Sequence, residues 1–481
     1  MEFLRPDVYV QEVSSGEKPI QAVSTSTGAF IGVTARGEVG VPVLVTSWTD
    51  FINKFAKGLN TPFIKGSDLP NAVYGFFQNG GSRCYVVRVA SSSAVVAKAS
   101  IALEGLEVKA KDCGAWANDK LGIEVKANLS NFDVNVYMNK ELVESFIDVS
   151  NTESANNYYL DVINETSQFI HIEKQPEEAL ATTEGIVKFA SGDDNSVSLS
   201  DEDFTGAKGL QALDIVSDVN LIAIPSKSED AVAKALIDYC DKRNDCFAIL
   251  DVPKGTVTAE NAKAFREKLG GTNGAVYFPW GKVIDPIGRN TKSLKECPLC
   301  GHIMGMYSNV DNTRGVYKTP AGEGSTLKGV SDLVVTVTKG MQEVLNPIGV
   351  NCIIAKPNTG IVVWGGRSLS TDPAKRYVSD VRYDIMVRQS LYNGTQWAIF
   401  EPNDSSLWTK VDTSITSFLD SEWRQGALRG ESADEAYYVK CDSELNTEES
   451  INNGMLVAEI GYAKQKPAEF VVVKIVQKTN S

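Results

Sequence analysis

Apolar and polar positions alternate with two different periods along this chain, and the change of period marks its parts. Between residues 21 and 90, continuous apolar runs read as strands covered on both faces: Gly28-Ala29-Phe30-Ile31-Gly32-Val33 and Cys84-Tyr85-Val86-Val87-Arg88-Val89. Trp48, Phe51, Ile52 and Phe55 recur at helical spacing behind Ser47, whose hydroxyl suits an N-cap. From residue 91 to about 205 the period shortens to two. Runs such as Leu121-Gly122-Ile123-Glu124-Val125 and Asp133-Val134-Asn135-Val136-Tyr137-Met138 are separated there by Asn, Ser and Asp. That pattern predicts an antiparallel β domain inserted into something larger.

Strands then alternate with helices. Leu221-Ile222-Ala223-Ile224-Pro225 predicts a strand, and Ser228 opens a helix with Val232, Leu236 and Tyr239 on one face. Phe247-Ala248-Ile249-Leu250-Asp251, a helix through Ala262, Phe265 and Leu269, and Ala275-Val276-Tyr277-Phe278 follow. Such a β-α-β-α-β order implies a parallel sheet with right-handed crossovers. Further on, Thr371-Asp372-Pro373 predicts a helix start with Val378, Val381 and Ile385 inward. Asn403-Asp404 opens another that buries Trp408, Val411, Ile415 and Phe418 and ends near Gly426. The predicted class is mixed α/β: a core with a parallel or mixed sheet flanked by helices, carrying an inserted antiparallel β domain.

Both ends of the chain read as strands that belong to none of these parts. At the front, Pro6-Asp7-Val8-Tyr9-Val10-Gln11-Glu12-Val13 alternates and stops at Ser14-Ser15-Gly16. At the back, Phe470-Val471-Val472-Val473-Lys474-Ile475-Val476 follows Pro467 with no further Gly or Pro. A bare apolar strand at a free end is an aggregation hazard unless it completes a sheet. Two such ends predict extended β-arms that pair by β-augmentation with neighbouring copies. Val8, Tyr9, Val10, Val13, Phe470, Val471, Val472, Val473 and Ile475 would form the ladders; Ser14, Ser15, Gly16, Gly461 and Pro467 would serve as joints.

Composition removes several alternatives. At 481 residues the chain has room for about three domains, and a net charge of -14 argues against a general nucleic-acid binder. No secretory leader is visible and no apolar run approaches the ~20 residues of a membrane span, so a soluble protein made in a cytoplasm is expected, with no direct membrane insertion. The turns Pro225-Ser226-Lys227-Ser228 and Asp251-Val252-Pro253-Lys254 lack the glycines of a dinucleotide or phosphate loop. Cys297-Pro298-Leu299-Cys300-Gly301-His302 resembles half of a zinc site, but only Cys240 and Cys246 offer a second pair, so buried thiols are the better reading. The acidic stretch from Asp193 to Asp203 lacks the central glycine of a calcium loop and reads as a surface turn. With two histidines, His171 and His302, and no nucleophile elbow, neither a catalytic residue, a metal nor a cofactor is expected.

Further motifs lie in order over nearly the whole length. They include Ser24-Thr25-Ser26-Thr27-Gly28-Ala29-Phe30, Phe76-Phe77-Gln78-Asn79-Gly80-Gly81-Ser82-Arg83-Cys84-Tyr85-Val86-Val87-Arg88 and Cys113-Gly114-Ala115-Trp116-Ala117-Asn118. Later come Gly301-His302, Asp311-Asn312-Thr313-Arg314-Gly315, Gly365-Gly366-Arg367-Ser368, Phe400-Glu401-Pro402-Asn403, Trp423-Arg424-Gln425-Gly426-Ala427-Leu428 and Pro467-Ala468-Glu469-Phe470. In this set the chain resembles the sheath proteins of contractile phage tails, tailocins and extracellular contractile injection systems, with Ala117 where their pattern has glycine.

The resemblance implies a non-enzymatic subunit that polymerises helically, in stacked hexameric rings, around an inner tube protein. It would contract from a metastable extended state and drive the tube through a target cell envelope, with baseplate and tail-terminator or cap proteins as further partners. Its location would be a virion tail or phage-tail-like particle assembled in a bacterial cytoplasm. The expected parts are an N-terminal arm (1–20), a first core segment (21–90), an inserted β-rich outer domain (91–205), a middle α/β domain called subtilisin-like by fold alone (206–345), a C-terminal core domain (346–465) and a C-terminal arm (466–481). Lys375, Arg382, Arg388 and Lys410 are candidate tube contacts. A static self-assembling structural protein and an α/β enzyme are the alternatives.

Overall fold

The computed structural model describes residues 19–101, 106–173, 179–194, 199–288 and 293–473. The chain divides into two compact units, the first made of Ser26–Val310 and Pro320–Thr371. Strands β1 (Gly28–Gly32), β2 (Val43–Val45) and β3 (Cys84–Arg88) open it, with helices α1 (Trp48–Phe55) and α2 (Leu69–Gln78) between β2 and β3. Ser47 caps α1 as its sequence suggests, accepting the Asp50 amide at 3.0 Å.

The insertion follows as β4 (Val96–Ile101), β5 (Leu106–Cys113), β6 (Leu121–Asn128), β7 (Asn131–Met138), β8 (Glu141–Val149), α3 (Tyr159–Thr166), β9 (Ile170–Ile172) and β10 (Val187–Lys188). Its two sheets, ordered β4-β5-β9 and β10-β6-β7-β8, are antiparallel. Alternate residues of β6 and β7, including Ile123, Val125, Val134 and Val136, fill a core of their own. The acidic stretch after it is not wholly a turn. Asp201–Thr205 forms a short helix, α4, because Ser200 and Asp203 cap each other's backbone amides.

The chain then returns to the first sheet through β11 (Leu221–Ala223), α5 (Asp230–Arg243), β12 (Phe247–Asp251), α6 (Ala259–Glu267) and β13 (Gly274–Phe278). A small antiparallel sheet comes from β14 (Gly281–Ile284), β15 (Leu294–Cys297) and β16 (Val330–Leu333), with α7 (Cys300–Arg314) between the last two. Helix α8 (Lys339–Leu345) leads to β17 (Val350–Lys356) and β18 (Gly360–Val363). The large sheet has the order β18-β17-β13-β12-β11-β1-β3-β2. Its inner strands are parallel and its two edges, β2 and β18, antiparallel. The sheet thus continues past the boundary expected at residue 345, since β17 and β18 complete it. β1, β12 and β13 are buried along their whole length, which explains their unbroken apolar runs.

Two devices lock this unit. Helices α2 and α7 approach so closely that a Cβ on Gly301 would sit 2.0 Å from the Ala72 carbonyl oxygen, and one on Gly305 2.2 Å from that of Phe76. The insertion is fastened by two buried arginines. Arg88, at the end of β3, donates to the carbonyls of Thr34 (3.2 Å), Gly37 (2.6 Å) and Cys113 (2.8 Å). Arg36 bonds Asp112 (3.1 Å) and the carbonyls of Lys57 (2.8 Å) and Gln168 (2.5 Å), and lies over the rings of Trp116 and Phe169 at 4.1 and 4.7 Å. Removing one partner of a buried ion pair strands the other, at a cost of about 3–5 kcal/mol. Arg36→Met should lower stability by that order in chemical denaturation and expose the insertion to protease; an unchanged midpoint would contradict the fastening role.

The second unit joins the described part of Met1–Thr25 to Asp311–Thr319 and the described part of Asp372–Ser481. It contains α9 (Val378–Thr395), α10 (Ser405–Arg424), α11 (Ala433–Ala436), β19 (Tyr437–Lys440), α12 (Glu448–Asn452) and β20 (Glu459–Tyr462). α9 starts later than Thr371-Asp372-Pro373 suggests. Asp372 caps only a 3₁₀ turn, Pro373–Lys375, and the helix restarts where the Asp380 carboxylate accepts the Tyr377 amide. α10 begins as expected, with Asp404 accepting the Leu407 amide at 2.9 Å. Tyr383, Met386 and Val387 of α9 pack with Leu407, Val411, Ile415 and Phe418 of α10.

Candidate functional site

Within the second unit, α9 is buried nearly all round over residues 378–387, and the described segments nearest both chain ends, 20–25 and 464–469, are seated on it. Ile20 is buried in the helical core and packs so tightly on Gly394 that a Cβ there would lie 2.6 Å from its Cγ1. The Val23 amide donates to Ser390 Oγ at 3.0 Å. The Thr25 hydroxyl donates to Asp311 at 2.7 Å, and Arg382 donates to the Thr25 carbonyl at 2.9 Å and to Asp311 at 3.0 Å. Arg382 and Asp311 retain 3% and 4% side-chain exposure, so this ion pair is dry. The N-terminal segment is therefore pinned from Ile20 onward. Val8, Tyr9, Val10, Val13 and the expected joints Ser14, Ser15 and Gly16 lie outside the described residues, as does Ile475.

At the other end, β19 and β20 form a two-stranded antiparallel ladder, and Gly461 stands in it opposite Tyr438. A Cβ on Gly461 would lie 2.1 Å from the Tyr438 ring, so this glycine makes room for packing and is not a joint. The chain after it stays tied to the unit: the Arg429 amide bonds the Ala463 carbonyl and the Ala463 amide that of Ala436, both at 2.8 Å. Pro467 follows outside any strand or helix. Phe470, Val471, Val472 and Val473 are 73%, 82%, 80% and 76% exposed and are in no strand.

The candidate tube contacts separate. Arg382 is withdrawn, because its guanidinium is spent on Asp311 and Thr25 inside the unit. Arg388 and Lys410 are exposed and Lys375 is half-buried. The dry Arg382–Asp311 pair escaped sequence reasoning because a charge on a helix is read as solvated; its only signal was a basic residue flanked by Val381 and Tyr383.

The C-terminal edge of the large sheet is where an α/β enzyme would place its chemistry. Here Asp251, at the end of β12, accepts the amides of Leu299 (2.9 Å) and Cys300 (3.1 Å) and so caps α7. Burial pushes its carboxyl up to about 6. His302 lies in helix α7, with its ring against Gly75, and burial holds its imidazole down at about 4. Cys297 and Cys300 are buried thiols, raised by the same desolvation. Among the described residues no group of three metal-ligating side chains converges, and no helix is long and apolar enough to cross a membrane. These polar groups serve packing and capping.

Residues 202–369 match the family model of the phage tail sheath protein central domain, and residues 370–478 that of the phage tail sheath C-terminal domain. The chain belongs to the phage tail sheath protein family. It is 23% identical over 333 residues to a tail sheath protein of Salmonella phage ViI, covering 66% of this chain and 49% of the relative. It is 23% identical over 297 residues to the tail sheath protein of Escherichia phage P2, covering 60% of this chain and 71% of that one. The match to the first thus spans about half of that relative's length. The fold is shared with the helical sheath of the anti-feeding prophage in its contracted state, at a TM-score of 0.62 and 24% identity over 99% of this chain and 100% of the other.

The two perturbed groups around α7 make a pH prediction. Asp251 holds its proton more firmly folded than unfolded, so its contribution is present below its unfolded value and is lost as pH rises through about 6. His302 acts oppositely: its folded value lies below the unfolded 6.5, so stability is lost as pH falls toward 4. Asp251→Asn removes the first effect alone. The stability difference between parent and variant should shrink as pH rises from about 4 to 6, read as urea midpoints; a pH-independent difference would refute the assignment.

Proposed function

We propose that this chain is the structural subunit of a contractile sheath. It polymerises helically around an inner tail tube, in stacked hexameric rings, and contracts from a metastable extended state to drive the tube through a target envelope. The baseplate and a tail-terminator or cap protein are its further partners. The particle is a phage tail or a phage-tail-like injection machine assembled in a bacterial cytoplasm. Residues 470–473 carry this reading: four apolar, mostly β-branched side chains stand in water just beyond a segment that the unit holds at Ala463 and Gln465.

Each of those side chains would gain roughly 1.5–3 kcal/mol on full burial, and each ladder hydrogen bond about 1 kcal/mol. A strand added to a neighbouring copy's sheet supplies both terms, and it survives rigid-body motion if a joint absorbs the turn. Deleting residues 468–481 should leave a monomer with unchanged far-ultraviolet circular dichroism that forms no tubes in negative-stain electron microscopy. Normal tubes from the truncated chain would refute the arm reading, and tubes of a single fixed length under every trigger would favour a static assembly.

Contact with the inner tube is assigned to the exposed positive charges Arg388 and Lys410, with Lys375 beside them in the assignment. Reversing Arg388 and Lys410 to glutamate should weaken tube-templated assembly, and the deficit should narrow as salt rises and shortens the screening length. An unchanged yield, or a deficit indifferent to salt, would count against an electrostatic contact.

A further inference from the structure

The two chain ends are fastened to α9 by different chemistry. The N-terminal fastening is the dry Arg382–Asp311 pair with its Thr25 bonds. The C-terminal fastening is ionic and partly wet. Lys464 Nζ lies 2.6 Å from Asp384, and both side chains are nearly covered, at 14% and 17% exposure. Lys466 Nζ lies 2.8 Å from Asp380; the lysine is 40% exposed while the carboxylate is fully buried. Both lysines also donate to the Ala374 carbonyl, at 3.3 and 3.2 Å. The Tyr377 hydroxyl donates to Glu469 at 2.9 Å, and the Tyr462 hydroxyl to Asp384, also at 2.9 Å.

Tyr377, Asp380 and Asp384 stand at i, i+3 and i+7, so they form one stripe along the helix. Arg382, Ser390 and Gly394, which seat the N-terminal segment, form a second stripe. The C-terminal residues meet the first stripe in an ordered way: Lys464 on the later carboxylate, Lys466 on the earlier one, Glu469 on the tyrosine just before the helix. The chain from 464 to 469 is thus laid along α9 toward its N-terminal end. Immediately beyond it the side chains go from bonded to more than 70% exposed.

We propose that Tyr377, Asp380 and Asp384 are positioning residues: they clamp residues 464–469 and set the direction in which the C-terminal arm leaves the subunit. The swivel then lies after Glu469 and not at Gly461 or Pro467. This rests, for its consequence in assembly, on the arm reading above. The clamp itself does not depend on that reading. Because Lys466 is water-reached and the Lys464 pair is covered, salt should loosen the clamp in part, whereas the Arg382 seat should not respond.

The test uses the full chain with Lys464 and Lys466 both changed to methionine, which keeps the aliphatic stems, and a control with both changed to arginine. Hydrogen exchange of the soluble subunit is read over residues 460–473. In the parent, protection should extend to Gln465, whose amide bonds the Ala427 carbonyl at 3.4 Å between the two clamped lysines; in the methionine variant, exchange at that amide should rise about tenfold as the ion pairs on either side of it are lost, with the arginine variant near the parent. Assembly is then read by electron microscopy. Tubes from the methionine variant should be fewer and irregular while the monomer's circular dichroism is unchanged. Parent protection that already ends at residue 463, or exchange equal in all three proteins, would overturn the clamp. An opened clamp with normal tubes would overturn its positioning role, provided the chain lacking 468–481 fails to assemble. Should that truncation assemble normally, the arm reading falls, and the exchange profile alone still decides the clamp.

Discussion

A buried helix with a charged partner on two sides is the constraint from which the second unit follows. Residues 378–387 of α9 are almost all buried, so the charged residues among them are matched inside the protein. Arg382 finds Asp311 and the Thr25 carbonyl, and Asp380 finds Lys466. Burying such pairs is poor value for stability alone, since apolar residues of similar volume would do as well or better. What the pairs add is direction. Arg382 fixes where the chain enters at Thr25, and Asp380 and Asp384 fix where it leaves. Under the arm reading proposed above, these are the two points that linkage to neighbouring copies needs held.

The first unit answers a different demand, which is rigidity. The glycines of α7 let two helices touch backbone to backbone, leaving no slack for sliding. Arg36 and Arg88 make six hydrogen bonds between them, three to the insertion (Asp112, Cys113 and Gln168) and three to the first core segment (Thr34, Gly37 and Lys57). Each arginine thus bridges the two parts, so the insertion travels with its sheet. Under the same arm reading, neighbouring subunits then move as solid bodies, with the change confined to a few residues at each chain end.

Much of this was legible before the structure. The parallel strands announced themselves as unbroken apolar runs because both faces are covered, and α1 and α10 because a capping residue precedes a one-sided apolar stripe. The insertion was visible in its change of period. α7 was not, since residues 300–308 are buried on every side, which leaves no one-sided stripe, and Gly301 and Gly305 interrupt them; its opening residues looked instead like half of a metal motif. Nor was the role of Arg382, because periodicity assigns a charge on a helix to solvent. Gly461 was misjudged for a related reason: a glycine near a chain end suggests freedom, but here the missing Cβ admits the Tyr438 ring. Which carboxylates meet Lys464 and Lys466 is set by tertiary packing across some eighty residues of chain, as the separations of 80 and 86 show, and no local pattern encodes it.

The proposed role of the two chain ends in assembly can be examined most directly in an assembled filament. A cryo-electron microscopy reconstruction of tubes grown from the full chain should trace residues 470–476 as a strand hydrogen-bonded to a sheet of a different subunit, with residues 464–469 still along α9. A C-terminal strand folded back onto its own subunit, or left unpaired between subunits that touch only through side chains, would contradict the proposal that the ends hold the polymer together.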